Sequence, residues 1–571
     1  MKAIARLLCL SSLIALPLFA QQSNPPRERV RKTAPPTSTT EPSNAQPAAE
    51  QPAQARPEPE AMPGERRMEQ QRPSAEAAAD GAAASRNFKF DMTEHPAVVT
   101  HHTSTIGGRS ISYTATTGRL PIKDAEGKTE AEMFYVAYTV DGSAPGRRPL
   151  TFAFNGGPGS ASLWLHMGAL GPRKVAMEPE GWIPPAPYHL IDNNYSPLDV
   201  TDLVLVDAIG TGFSRPADAA AGRKFWNLNG DIEAFGEFIR LYISRNERWS
   251  SPLYLLGESY GTTRSAGIAG YLTDRGINFT GIMLLSEVLN FETLSFAATN
   301  DVPYPLIVPS FSMIAAYHHK LPPELSQDLD KTRAEVTEWA LGPYWSALNK
   351  GTSLTPQERD TIATQLARYT GLPKQIVMLA NLRIDVQTFT HWLLADKGLR
   401  VGRLDGRYAD PDPNGWNNPG FADPTSAETT GPFTSTFNDY VRRELGYKVD
   451  MPYNVSARDG EGFNWSWSAP QAAGQQRGGF QMGYPDTASA LRSAMVKNHH
   501  LKVLVMEGYY DLATPFAAAN YTMDHMDLPP DYQKNISYTT YASGHMVYLE
   551  HKSLEKFKND VANFIQTTTP K

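Results

Sequence analysis

Leu253-Tyr254-Leu255-Leu256-Gly257-Glu258-Ser259-Tyr260-Gly261 is an apolar run that stops at a G-x-S-x-G. The pattern predicts a buried strand that ends, turns sharply on its two glycines and lifts a serine at the mouth of a helix. Ser259 is therefore the candidate nucleophile. A motif this short acquires meaning only from its surroundings, and the chain supplies them on both sides.

Upstream, Pro149-Leu150-Thr151-Phe152-Ala153-Phe154 has the near-continuous apolar character of a strand buried on both faces. It runs into Asn155-Gly156-Gly157-Pro158-Gly159-Ser160, where the glycines predict a close backbone approach. Placed ahead of the elbow, that loop is expected to offer a backbone N–H to a developing oxyanion. Ser110–Ala115 and Ala131–Val140 read as edge strands of a hairpin or meander, and Asp202–Asp207 as another buried strand. Asp231–Ile243 shows helical spacing through Ile232, Phe235, Phe238, Ile239 and Tyr242. Gly281–Ser286 follows the elbow as one more core strand. This alternation predicts a mostly parallel sheet with helices on both faces.

The rhythm fails between about 291 and 498. Helical stretches (Pro322–Leu341, Thr355–Tyr369, Pro373–Leu382) precede a loop-rich part from Arg403 to Gly483, and the whole is expected to be a largely helical cap inserted over the elbow. Within it, Asp410-Pro411-Asp412-Pro413-Asn414-Gly415 opens like a calcium loop, but the twelfth position is Phe421 where the bidentate Glu belongs. No metal site and no cofactor are expected. Sheet sequence resumes with Lys502–Met506 and Ile536–Tyr541, and Ser553–Ile565 predicts a closing helix with Leu554, Phe557, Val561 and Phe564 on one face. The expected core is thus 88–290 and 499–571, interrupted by the cap at 291–498.

The 571 residues carry a formal charge of -7, which offers no basic surface for nucleic acid. Residues 1–20 read as an export signal, with Lys2 and Arg6 before an apolar run from Leu7 to Phe19. That run is shorter than the roughly 20 residues a spanning helix needs, so no stable membrane insertion is expected after cleavage. From 21 to 87 the chain has no aromatic residue and is dominated by Pro, Ala, Gln, Glu and Arg, a composition expected to stay disordered as a linker. The sole cysteine, Cys9, lies in the signal, so the mature chain would hold neither a thiol nucleophile nor a disulfide. An exported protein, periplasmic or secreted, is the expectation.

A serine needs a base to take its proton, and the base needs an acid to fix its tautomer. After a strand-to-helix elbow these follow in the order Ser, Asp or Glu, His, on loops after late strands. Asp511, in Glu507-Gly508-Tyr509-Tyr510-Asp511, and His545, in Ala542-Ser543-Gly544-His545-Met546, satisfy order and placement. Asp207 also ends a core strand but precedes Ser259, and is read as structural or site-lining.

Taken together, Asn155–Ser160, Gly210-Thr211-Gly212-Phe213-Ser214, Gly257–Gly261, the Asp511 loop and Gly544-His545-Met546 resemble the serine carboxypeptidase family from about Phe88 to the C-terminus. The resemblance implies an α/β-hydrolase fold with a helical insertion over the active site. It implies Ser259 as nucleophile, His545 as base and then acid, and Asp511 as its orienter. It further implies backbone N–H groups of Gly157 and Tyr260 as the oxyanion hole, and the side chains of Asn155 and Glu258 as the grip on a peptide substrate's free C-terminal carboxylate. Such a carboxyl–carboxylate contact requires Glu258 to be protonated. The chain departs from the family at Ala153 (usually Trp), Ser160 (usually Cys) and Ala169, where a Glu normally supports the carboxylate-binding carboxyl. Tyr548-Leu549-Glu550 likewise replaces a Pro-bearing tail. An exported serine carboxypeptidase is the leading reading; an esterase or acyltransferase on the same scaffold, or a catalytically silent wall-associated binding protein, are the alternatives.

Overall fold

The structure, a computed structural model, describes residues 88–144, 146–417, 422–467 and 483–570. The expected export signal, the linker to 87, Cys9 and Phe421 lie outside the described residues.

Among the described residues nine strands, in chain order, form the path of one sheet: β1 (Val98–Ile106), β2 (Arg109–Lys123), β3 (Thr129–Val140), β4 (Leu150–Phe154), β5 (Asp202–Val206), β6 (Leu253–Glu258), β7 (Gly281–Leu285), β8 (Lys502–Gly508) and β9 (Ile536–Tyr541). Their spatial order is β1-β2-β3-β5-β4-β6-β7-β8-β9, with a tenth short strand, Arg215–Pro216, beside β3. The first three are antiparallel, and β3 meets β5 antiparallel. From β5 onward every pairing is parallel. This is the α/β-hydrolase architecture. The parallel strands β4 to β7 are buried along their whole length, as their unbroken apolar runs require of strands covered on both faces.

The pleat sorts side chains to two cores. Phe152, Leu255, Ile282 and Val503 enter one, together with residues of α1 (Leu228–Arg245), α2 (Tyr260–Thr273) and α5 (Ala488–Lys497). Ala153, Tyr254, Leu256, Met283 and Leu504 enter the other. Leu255 and Leu256, both fully buried, thus stabilise opposite faces by about 2 kcal/mol each. The helix α1 starts where the Asn227 side chain accepts from Gly230 N–H.

The insertion has its own core. It includes α3 (Pro303–Tyr317), and the stacked rings of Phe311 and Phe389, 4.0 Å apart, sit near its centre. The helix at Pro356–Thr370 opens on a Thr355–Glu358 capping box and ends at left-handed Gly371. Asp412, in the stretch that opens like a calcium loop, pairs with Arg400 at 3.0 Å.

Two segments of the insertion serve the sheet itself. The 20-residue helix α4 (Pro424–Arg443) occupies part of the stretch expected to be loop-rich. Its Phe433, Phe437, Tyr440 and Val441 fall on one face and join the second core with Phe557 and Val561 of α6 (His551–Thr568). Burial of that stripe outweighs the poor helix propensity of its Thr, Gly and Pro residues. The helix α5, within the stretch read as cap, packs on α2 and contributes Leu491, Ala494 and Met495 to the first core.

Candidate active site

The site forms at the carboxyl ends of the parallel strands, where ligand crevices of open α/β sheets lie. Ser259 follows β6 and precedes α2 at φ 62° and ψ -134°. A β-carbon in that region costs on the order of 1–3 kcal/mol, a strain found where function requires it. Its N–H donates to Leu285 O at 2.9 Å, which holds the turn against the end of β7. A Cβ on Gly257 would stand 2.1 Å from Gly261 O, so the first glycine of the motif is required by the closeness of the turn. Ser259 is partly exposed, whereas Glu258 and Tyr260 on either side are buried.

The glycine loop after β4 packs directly on this elbow. A Cβ on Gly156 would lie 2.5 Å from both Tyr260 N and Gly261 N. Gly157, at φ 106°, follows. Tyr260 is the first residue of α2, whose opening N–H groups have no partner within the helix. The loop is held from behind by Asp207, whose Oδ1 accepts from Ser162 N–H at 2.7 Å, while burial lifts its carboxyl to about 6. Asp207, read from the sequence as structural or site-lining, is thus hydrogen-bonded to the segment that follows the glycine loop.

His545 and Asp511 meet after β9 and β8. His545 Nδ1 faces Asp511 Oδ2 at 2.6 Å, and both residues are buried. Asp511 is fixed by Ala513 N–H at 2.7 Å and Thr514 N–H at 3.1 Å on Oδ1, and by the Thr514 hydroxyl at 2.7 Å on Oδ2. Burial pushes His545 down, but the Asp511 charge and hydrogen bond outweigh it and leave its pKa raised. With Nδ1 committed to Asp511, Nε2 is the nitrogen free to act as base. The end of β7 ties the His545 loop to the elbow: Leu285 O receives Ser259 N–H, and the adjoining Ser286 hydroxyl donates to His545 O at 2.7 Å.

Beside this group lies a second buried pair. Asn155 Nδ2 donates to Glu258 Oε1 at 2.8 Å, and Asn155 Oδ1 accepts from Leu165 N–H at 2.9 Å. Burial raises the Glu258 carboxyl to about 7, against the opposing pull of His545, the Tyr548 hydroxyl and Asn155. Below that pH Glu258 is a neutral donor.

Three supports were not read from the sequence. Arg264 of α2, fully buried, donates through Nε to Asp231 Oδ2 at 2.8 Å and through Nη1 to Asn155 O at 2.7 Å. Tyr260 Oη donates to the same Asp231 oxygen at 3.0 Å. The elbow helix, α1 and the end of β4 are thereby locked together. The second support comes from the insertion: Leu404 O accepts His545 N–H at 2.6 Å, Asp405 Oδ2 accepts Gly544 N–H at 3.1 Å, and Arg403 O accepts Leu512 N–H at 3.0 Å. Residues 403–405 thus brace the Asp511 loop and the His545 loop at once. The third is Tyr548, which abuts Glu258.

Residues 110–302 match the family model described as serine carboxypeptidase. That span includes Asn155, Gly157, Glu258, Ser259 and Tyr260; Asp511 and His545 lie beyond it. No curated protein matches the chain. Solved structures similar to it include a soluble variant of monoglyceride lipase from Saccharomyces cerevisiae, at 11% identity and TM-score 0.33, with 79% of this chain and 97% of that chain covered. Juvenile hormone epoxide hydrolase from the silkworm Bombyx mori is 13% identical at TM-score 0.30, with 80% and 79% covered.

Proposed function

Taking as premise that residues 110–302 match a family of serine carboxypeptidases, and that the match implies a serine-type carboxypeptidase hydrolase, we propose that this protein removes C-terminal residues from peptides through an acyl-enzyme. The observation that carries the reading is the buried His545–Asp511 pair, linked through the end of β7 to a strained Ser259, with the Asn155–Glu258 pair adjoining. In this reading Ser259 Oγ attacks the last peptide carbonyl and its proton passes to His545 Nε2. The negative oxygen is received by the N–H groups of Gly157 and Tyr260. His545 then returns the proton to the leaving amine, which departs as the free amino acid, and water attacks the acyl-serine by the same route.

Asn155 and protonated Glu258 hold the substrate's terminal carboxylate. The sign of the pH dependence follows. Glu258 sits at about 7 against an ordinary 4.5, so it stays a donor up to neutrality and becomes a repelling carboxylate above it. Affinity for a free C-terminus should therefore fall about tenfold per pH unit above neutrality, and affinity for a blocked one should not. The sequence at 1–20 extends the proposal to an exported enzyme, checked by cell fractionation.

The test compares an N-blocked dipeptide, its C-terminal amide and an aryl ester from acidic to alkaline pH, with Ser259→Ala as control. Preference for the free acid, lost at alkaline pH and abolished in the serine variant, supports the reading. Ester cleavage alone, still dependent on Ser259, replaces it with an esterase. Activity indifferent to Ser259 removes the triad from the account.

A further inference from the structure

Glu258 Oε2 and the Tyr548 hydroxyl are both buried, and neither makes a hydrogen bond of regular geometry among the described residues. They nevertheless lie against each other: the groups that face Glu258 are the His545 ring, the Tyr548 hydroxyl, the Asp511 carboxylate and the Asn155 carboxamide. Those that face the Tyr548 hydroxyl are Glu258 and Asn155. Two polar atoms left short of a partner at the same place, each in a residue 3% exposed, are costly unless the working state completes them.

The ring of Tyr548 reaches this point for a steric reason. It stacks over Gly168, where a Cβ would come within 2.5 Å of its Cε2. Gly168 therefore leaves the space that the ring fills, and Ala169 next to it carries no polar group toward Glu258. Residue 548 follows His545 by three positions, on the single turn Val547–Leu549 that leads from the base loop into α6. Base and phenol are thus delivered to the pocket by one short stretch of chain.

We propose that Tyr548 is a positioning residue: its hydroxyl donates to Glu258, aims that carboxyl at the substrate's terminal carboxylate, and sets the upper pH limit of free-acid recognition. The inference rests on the carboxypeptidase reading above. The phenol is suited to this role because burial, and then the Glu258 charge, hold it protonated well above the usual tyrosine range, so it is a donor at every working pH. A donor to a carboxylate favours the ionised form. Removing it must keep Glu258 protonated to higher pH, which is opposite in sign to a general loosening of the site.

The experiment measures KM for the N-blocked dipeptide acid across pH in the unaltered protein and in Tyr548→Phe, with the aryl ester measured on the same preparations as internal reference. Phe keeps the ring over Gly168 and removes only the hydroxyl. The expected result is that the rise of free-acid KM, which begins near neutrality in the unaltered protein, moves up by about one pH unit in the variant. In a Glu258→Gln background the same substitution should produce no pH shift. 4-Fluorophenylalanine at 548, which fills the hydroxyl's volume without donating, gives a second variant should Phe fold poorly, with the same shift expected. A rise of free-acid KM at an unmoved pH overturns the inference while leaving the carboxypeptidase reading intact. A free-acid KM that is flat with pH in the unaltered protein overturns both.

Discussion

Truncation of Asp405 to alanine tests whether the insertion holds the Asp511 and His545 loops or merely covers them. Asp405 is 1% exposed. Its Oδ2 receives Gly544 N–H at 3.1 Å and stands 2.6 Å from Arg407 Nη2, and its Oδ1 receives Arg407 N–H at 3.0 Å. Arg407 itself is buried, and its next carboxylate, Glu180, is 3.9 Å away and largely exposed. Asp405→Ala therefore leaves a buried guanidinium with the Ser543 hydroxyl, 3.1 Å from Nη2, and no close carboxylate, a loss of about 3–5 kcal/mol. That is a large share of the roughly 5–15 kcal/mol that holds a domain folded, yet leaves the variant measurable. It also removes the acceptor from the residue before His545. If the imidazole then drifts by about 1 Å, kcat falls by about 10²-fold. Urea denaturation at neutral pH reads the first number, and saturating aryl-ester hydrolysis reads the second. Adding Arg407→Met should recover at least half of the stability, because the stranded charge is gone, without restoring kcat, because Gly544 N–H still lacks its acceptor. A stability loss under 1 kcal/mol, or full kcat in Asp405→Ala, would refute the reasoning.

The glycine loop and a pair of buried glutamates give two further tests. Gly156→Ala places a methyl 2.5 Å from Tyr260 N, so the loop must retreat from the elbow. A loss in kcat on the order of 10²-fold is expected, in the range of a missing oxyanion donor, and unchanged ester kinetics would exclude the loop from the oxyanion site. Glu287 N–H donates to Glu507 Oε1 at 2.9 Å where both residues are buried, and burial carries the Glu287 carboxyl from 4.5 to about 8. The folded protein thus retains a proton that the unfolded chain has lost, and stability falls as pH rises through that window. Glu287→Gln should lessen the drop in Tm between pH 5 and pH 8; an equal drop in both proteins would sink the argument.

How much of this was legible in the sequence follows the range of the interactions. The elbow, the glycine loop and the order Ser259, Asp511, His545 depend on backbone turns that local sequence dictates, and apolar runs such as Leu253–Leu256 announce strands buried on both faces. What was not legible depends on partners far along the chain. Arg264 meets Asp231 and Asn155 only after α2 has docked, so its spacing gave no sign of a role. The helix α4 is written in Thr, Gly and Pro, and only its Phe433, Phe437, Tyr440 and Val441 series, seated in the second core with Phe433 on Trp164, Phe437 on His166 and Tyr440 at Tyr138, explains why it forms. Tyr548 could be singled out as a departure from a familiar pattern, but its nearness to Glu258 required Gly168 to be seen beneath it.

The brace formed by residues 403–405 also orders events during synthesis. The elbow and the insertion leave the ribosome before Asp511 and His545, and N-terminal parts of a chain tend to fold first. The loops carrying Asp511 and His545 have their docking surface already waiting, and each gains its backbone partners, Arg403 O for Leu512 and Leu404 O for His545, only on arrival. In the proposed mechanism chemistry is therefore the last property the nascent chain acquires, and a chain interrupted between the insertion and residue 545 presents Ser259 without the imidazole that would take its proton.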